Sequence, residues 1–142
     1  MRNTWNARNT NHIRPEELTE TVMAGLDEYR KMCVDDMKEC VKDSAKFLQK
    51  ELKATSPVAA KGKYRGQYAK SWKIHKNFES YERIDLIVYA GIYWIAHLLE
   101  NGHAKRGGGW VDARPHIAPA EKKAEKKLME DIVTALDNGG RV

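Results

Sequence analysis

Cysteine is scarce in this chain. Its two cysteines, Cys33 and Cys40, stand seven residues apart in a sequence of 142. On a single helix that spacing is about 10 Å of rise, more than the usual Cα separation of a disulfide. A reduced, cytosolic-type setting is therefore expected. Long apolar runs are missing as well. The longest uncharged stretch, Leu86 to Leu99, has 14 residues and contains His97, whereas a membrane-spanning helix needs about 20. Residues 1–14 lack the apolar centre of a signal peptide, and a soluble chain without such a leader is expected. The sequence also has no internal repeat, no HExxH, no paired-cysteine motif, no Walker spacing and no nucleophile elbow. These are the patterns by which zinc enzymes, P-loop nucleotide binders and serine hydrolases are recognised.

The length fits one domain, able to bury roughly two-thirds of its unfolded surface. With 25 basic and 20 acidic residues the formal charge is +5. That is mildly basic and does not by itself establish nucleic-acid binding. The charge is unevenly placed. Arg2, Arg8 and Arg14 give residues 1–14 a charge of +3, residues 15–54 carry seven bases and ten acids, and residues 55–83 carry seven bases and two acids. One basic segment thus faces one acidic helix, a polarity suited to head-to-tail assembly or to an anionic partner.

Residues 1–14 are rich in Asn, Thr and Arg and are read as a mobile arm, with Trp5 as a candidate anchor. Pro15 followed by Glu16 and Glu17 is a helix start, with proline in the first turn and acids near the positive end of the dipole. Apolar residues then recur in steps of three and four: Leu18, Val22, Leu26, Tyr29, Cys33, Met37, Val41, Ala45, Leu48 and Leu52. Lys31, Asp35, Lys38, Lys42 and Lys46 take the opposite face. The helix should stop at Thr55-Ser56-Pro57. Unbroken, it would run about 58 Å, against a radius of gyration of ~14–15 Å for a compact domain of this size. Either it bends near Gly25 or its first turns project onto a neighbouring subunit.

Residues 57–67 form a basic Gly/Ala loop. From Tyr68 the period becomes two. Trp72, Ile74 and Phe78 share one face, and Ile84, Leu86 and Val88 alternate with Asp85, Ile87 and Tyr89, as in two antiparallel strands joined by the polar turn Glu79–Arg83. A short helix follows from Ile92 to Glu100, with Ile92, Ile95, Ala96 and Leu99 on one face and Asn101-Gly102 as its stop. Beyond a glycine loop, Trp110–Ala113 reads as a third short strand. Pro119 opens a last helix that turns Ala120, Ala124, Leu128, Ile132 and Leu136 to one side and ends at Asn138-Gly139-Gly140. The expected fold class is α+β: a long N-terminal helix, a small antiparallel β-sheet with a short inserted helix, and a C-terminal helix. Residues 15–138 form the single domain and 139–142 a flexible tail. Trp72, Leu86, Val88 and Leu99 should lie between sheet and helices.

Four kinds of chemistry could in principle be drawn from these residues. His97, Glu100, His103 and His116 could be drawn together around a metal, but no motif fixes their geometry. The plainer reading places His97 at the core edge, His103 in a loop and His116 beside the last helix. The loop Lys105-Arg106-Gly107-Gly108-Gly109 exposes backbone N–H groups, yet no helix follows it directly. A mobile basic finger touching DNA phosphates or an acidic partner suits it better than a nucleotide site. Ser44, Ser56, Ser71 and Ser80 lack a recognisable base, and Cys33 and Cys40 lie on the apolar helix face. The aromatics Tyr64, Tyr68, Trp72, Tyr89, Tyr93, Trp94 and Trp110 could stack on a single strand. Trp72 and Trp94 sit on apolar faces, which fits core or subunit interface better. No catalytic residue, cofactor or metal is assigned, and the chain is not expected to be an enzyme.

The block Tyr93…His97-Leu98-Leu99-Glu100-Asn101-Gly102-His103, then Lys105-Arg106-Gly107-Gly108, then Arg114-Pro115-His116-Ile117-Ala118-Pro119-Ala120, resembles the tail-completion proteins of long-tailed double-stranded DNA phages and prophages. These are also called head–tail joining or neck proteins. Upstream, Leu52-Lys53…Ser56-Pro57 followed by Gly66-x-Tyr68…Ser71-Trp72 is similar to another passage of that family. The likeness spans roughly residues 15–136; the arginine-bearing arm before it has no counterpart. The resemblance implies a virion structural protein without catalysis. It would form a ring, commonly of six subunits, where the tail meets the head connector. Its partners would be copies of itself, the tail tube or tail terminator protein and the head connector protein, with non-specific contact to channel DNA. Its places would be the head–tail junction of the virion and the host cytoplasm during assembly. Lys61, Lys63, Arg65, Glu100, His103, Lys105, Arg106 and Arg114 are the residues expected to meet neighbours. The alternative from another class is a small basic nucleic-acid-binding protein of mobile-element origin, using Lys61, Lys63, Arg65, Lys70, Lys73, Lys105 and Arg106.

Overall fold

A computed structural model of the chain describes residues 14–62 and 64–138. The expected arm, apart from Arg14, and the expected tail at 139–142 lie outside the described residues, as does Lys63. The order of elements is α1 (Leu18–Thr55), α2 (Gln67–Lys70), β1 (Trp72–Glu79), β2 (Ile84–Ala90), α3 (Ala96–Asn101), β3 (His103–Ala104), β4 (Trp110–Val111) and α4 (Ile117–Asp137). Single 3₁₀ turns, Pro15–Glu17 and Tyr93–Ile95, lead into α1 and α3. This is the expected α+β class.

α1 is one uninterrupted helix of 38 residues, about 57 Å long. Its helical hydrogen-bonding pattern continues through Gly25. Of the two ways expected to accommodate its length, it takes projection: every residue from Leu18 to Met32 is exposed. Glu16 and Glu17 lie in the turn before it and Glu20 in its first turn, where carboxylates face the positive end of the helix dipole. It stops at Ser56, which takes an extended backbone (φ −60°, ψ 132°), the conformation imposed on a residue preceding proline. The Ser56 hydroxyl donates to Leu52 O and accepts the Trp72 indole N–H at 2.8 Å. Gln49 Nε2 donates to Trp72 O at 2.8 Å. Trp72 is thereby fixed at the foot of α1 with both its backbone and its ring nitrogen satisfied.

The segment 67–70, expected as loop and strand start, is instead the single helical turn α2. Gly66 opens it at φ +71°, a left-handed conformation that costs glycine little. The turn rotates Tyr68 and Ala69 inward, and both are buried.

β1 and β2 pair antiparallel from Trp72↔Ala90 to Lys76↔Leu86, after which the register moves to Phe78↔Asp85. Asn77 is therefore an extra residue, a β-bulge. Residues opposite one another share a face, so the bulge reverses the parity of β1. Phe78 was expected beside Trp72 and Ile74. It lies instead on the outer face with Asp85 and Ile87, and is 47% exposed. There the Arg83 guanidinium sits 5.5 Å from its ring centre and bonds Asp85 at 2.6 and 3.1 Å. Glu79 moves to the inner face and meets Lys42 of α1 at 3.3 Å and Lys76 at 2.8 Å.

α4 packs along α1. Small residues let the two helices approach closely: Ser44 and Ala45 on one, Ala120, Ala124 and Ala135 on the other, all buried. Ser44 Oγ donates to Ala124 O at 3.1 Å. α4 starts at Ile117, two residues before the expected Pro119, and its last buried side chain is Ala135, with Leu136 45% exposed. The core centres on Leu52, Tyr68, Trp72, Ala90 and Ala120, with Leu48, Val88, Ile92, Ile95, Ala96, Leu99 and Ile117 packed around it. Leu86 is half-buried on the same sheet face as Val88.

The glycine loop is not an open connector. His103 and Ala104 pair with Val111 and Trp110, making a second sheet of two short strands separate from β1–β2. Lys105 N donates to Gly109 O at 3.0 Å and Gly108 N to Lys105 O at 3.1 Å. Gly108 and Gly109 both have φ +91°, which explains glycine at the tip. The expected strand Trp110–Ala113 is thus one arm of this hairpin and only two residues long.

Candidate assembly surfaces

Three features stand out on the described surface. The first is the projecting end of α1. Leu18, Val22, Leu26 and Tyr29 are 50–56% exposed and follow the same three-and-four spacing that carries Ala45 and Leu52 into the core. The sheet reaches back along α1 as far as Arg30, which is paired with Glu82 in the β1–β2 turn. α4 ends beside Asp36, where Asn138 and Asp36 line a common hollow. Leu18 to Tyr29, about 17 Å of helix, extends past both.

The second is a cleft of about 400 Å³ beyond the other end of α1. Pro57, Val58, Tyr64, Ile95, Leu98 and Val111 make it largely apolar, and Lys61, Arg65 and Arg114 join Asp112 around it. Tyr64, Tyr68 and Ile95 are shared with an adjoining hollow lined by Ile92 and Trp94. Tyr93 and Trp94 stack edge to face at 5.5 Å beside it and are 73% and 58% exposed. Core and interface were both open for Trp94; its exposure rules out the core. Three residues expected at an interface, Lys61, Arg65 and Arg114, are therefore brought together from segments 49 residues apart.

The third is the hairpin tip, where Lys105 and Arg106 are exposed. His103 stands at its base, half-buried, with Nδ1 buried and unbonded.

Glu100 does something the sequence did not disclose. Its carboxylate accepts the backbone N–H groups of His116 (2.8 Å), Ile117 (3.0 Å) and Ala118 (2.9 Å). The next residue, Pro119, has no N–H to satisfy. The N–H groups that a helix start leaves without partners are thus met by one side chain and one proline. Burial pushes the Glu100 carboxyl up, but the donors from Ala118, His116 and Ile117, with the nearby His116 ring, outweigh it and hold the group below its ordinary value. Expected to face a neighbour, Glu100 has its carboxylate occupied inside the subunit.

His116 is 2% exposed. Its Nδ1 lies 3.0 Å from Arg114 O, an acceptor, and 3.2 Å from Glu100 Oε2. Nδ1 therefore carries the proton, and Nε2 accepts from the Tyr68 hydroxyl at 2.8 Å. Burial, then the charge of Glu100, pushes the Tyr68 phenol up to about 12. Tyr68 was missed as a structural polar residue, because its partner lies 48 positions away.

His97, expected at the core edge, is exposed. Among the described residues no group of three His, Cys, Asp or Glu side chains could hold a metal ion, and no helix is long and apolar enough to cross a membrane. Burial, followed by the charges of Asp131 and Asp36, pushes the Cys40 thiol up, which disfavours the reactive thiolate.

The described surface thus combines an overhanging apolar helix face, an apolar cleft rimmed by bases and a basic hairpin. No curated protein and no solved structure matches the chain. A family model described as "Bacteriophage HK97-gp10, putative tail-component" matches residues 20–102, ending before the glycine hairpin and the Arg114-Pro115-His116 segment. That match covers α1 from Glu20 onward, the β1–β2 sheet and α3, more than half of the sequence, and the chain belongs to this family of phage tail components.

Proposed function

We propose that the chain is a structural subunit of the phage neck. Copies close into a ring, of six in the simplest case, that joins the tail to the head connector around the DNA channel. The observation that carries this reading is the projecting α1: a helix whose apolar face continues about 17 Å past the body of its own subunit needs a neighbour to cover it. Residues 15–138 act as one unit in this ring. Its other partners are the tail tube or terminator protein and the connector protein, met by the exposed aromatics and by Lys105 and Arg106. The role is mechanical, without catalysis or cofactor, and belongs to the virion.

Mass measurement of purified tails tests the ring. Several copies per tail are expected, and a single copy would rule the ring out. Deleting the gene should leave filled heads and separate tails. The free subunit should bind DNA weakly. Tight binding with a steep salt dependence would instead favour the small nucleic-acid-binding protein.

A further inference from the structure

The two apolar surfaces carry opposite charge. From Pro15 to Tyr29 the projecting end holds five acids, Glu16, Glu17, Glu20, Asp27 and Glu28, against one base at its tip, Arg14, which is paired with Glu17. The cleft is bordered by Lys61, Arg65 and Arg114 against the single acid Asp112. The first surface is a convex ridge of Leu18, Val22, Leu26 and Tyr29. The second is concave, with an apolar floor from Pro57, Val58, Leu98 and Val111. They also lie at opposite ends of a continuous helix of 38 residues. About 40 Å of helix keeps one subunit's ridge from reaching its own cleft.

We infer that the ridge of each subunit seats in the basic cleft of the next copy of the same chain. This rests on the ring reading above and adds the pair of surfaces that makes the contact. A ridge on one face and a cleft on another form a heterologous contact, the kind that generates rings when the rotation closes. The apolar floor supplies the burial, and the acid and base rims set partner and orientation. The contact also explains why the stripe that builds the core continues unbroken to Leu18, where no core exists. The shared use of Tyr64 by both adjoining hollows places an aromatic wall beside the incoming helix.

Cysteine pairing inside assembled tails tests the arrangement. In a Cys33→Ser, Cys40→Ser background, Leu26→Cys and Val58→Cys are introduced together, and tails are oxidised before non-reducing electrophoresis. A ladder of covalent multimers is expected. Chains carrying one cysteine each, mixed in the same cells, should stop at dimers. Absence of linkage, a bond within one chain, a bond to a different virion protein, or dimers from Leu26→Cys alone would each overturn the contact. A second test reverses charge. Asp27→Lys with Glu28→Lys, or Lys61→Glu with Arg65→Glu, should each lower infectious titre by about tenfold or more, since like charges then oppose. All four changes together should restore it to within about threefold, in the same order-of-magnitude sense. Failure of the combined variant to recover, while its circular dichroism matches the parent, would also overturn the pairing. The two readings fail separately: several copies per tail without linkage removes this interface and leaves the ring, whereas one copy per tail removes the ring itself.

Discussion

Glu100 and His116 meet twice. The carboxylate takes the histidine's backbone N–H at 2.8 Å and stands 3.2 Å from its ring Nδ1. Since His116 is the cap residue of α4, this contact ties the end of α3 to the start of the last helix. The Tyr68 hydroxyl completes the group from the other side at 2.8 Å.

The Glu100 carboxyl is held below its ordinary value of 4.5 in the folded chain. A carboxyl depressed on folding stabilises the fold above its unfolded value and loses that contribution as pH falls through the folded one. Acid unfolding is therefore expected to steepen below about pH 4.5. Glu100→Gln should flatten that slope and lower stability at neutral pH. Denaturant melts of both chains from pH 3 to 7 check this; parallel profiles would count against the cap.

Tyr68 gives the opposite limb. Its phenol moves from 10 to about 12 on folding. A raised value means stability is intact below pH 10 and declines as pH rises toward 12. Tyr68→Phe should remove most of this alkaline decline, and should cost about 0.5–1.5 kcal/mol at pH 7 for the lost hydrogen bond to His116. Fluorescence-detected unfolding between pH 8 and 12 reads both effects.

Leu52 and Leu26 lie on one sequence stripe but in different surroundings, 2% and 56% exposed. Leu52→Ala should cost about 2–5 kcal/mol in urea unfolding of the isolated chain. Leu26→Ala should stay within about 0.5 kcal/mol while impairing assembly. Equal costs would show that the projecting end packs against its own subunit.

Gly102 ends α3 at φ +75°, and a Cβ there would lie 2.6 Å from Val111 O and 3.0 Å from Ala113 N. Those are backbone atoms of β4 and the segment just after it, which cannot yield cheaply. Gly102→Ala should cost roughly 2 kcal/mol or more. Gly107 has open space around its missing Cβ, so Gly107→Ala should stay within about 0.5 kcal/mol. Thermal melts of the two variants compare the sites directly.

Lys105 and Arg106 are exposed at the hairpin tip. Replacing both with Ala should leave stability within about 0.5 kcal/mol and impair head–tail joining, so that filled heads and separate tails accumulate. Normal titres would reduce the hairpin to a connector.

Much of this fold is written in local pattern. The three-and-four spacing from Leu18 to Leu52 is a helix pattern, because 3.6 residues per turn brings those side chains to one face. Ser56-Pro57 ends it by steric exclusion. The alternation at Ile84–Val88 and the stop at Gly102 are equally local. The clustering of Lys61, Arg65 and Arg114 was only half legible: each is a base in a loop, and the fold made them neighbours.

What the sequence could not decide were the features that depend on a partner distant in the chain. One extra residue in the β1–β2 ladder moved Phe78 outward and Glu79 inward, and period alone cannot reveal an insertion relative to a partner strand. α4 starts at Ile117 rather than Pro119 because Glu100, 17 residues upstream, supplies the acceptors for its first N–H groups. Tyr68 is internal because His116 waits for its hydroxyl. The sequence by itself determined that α1, β2 and α3 form and which face of each is apolar, since both follow from backbone periodicity. Only the tertiary structure decided where the apolar face of α1 is covered and where it is left bare, because burial depends on how far the sheet and α4 extend along it.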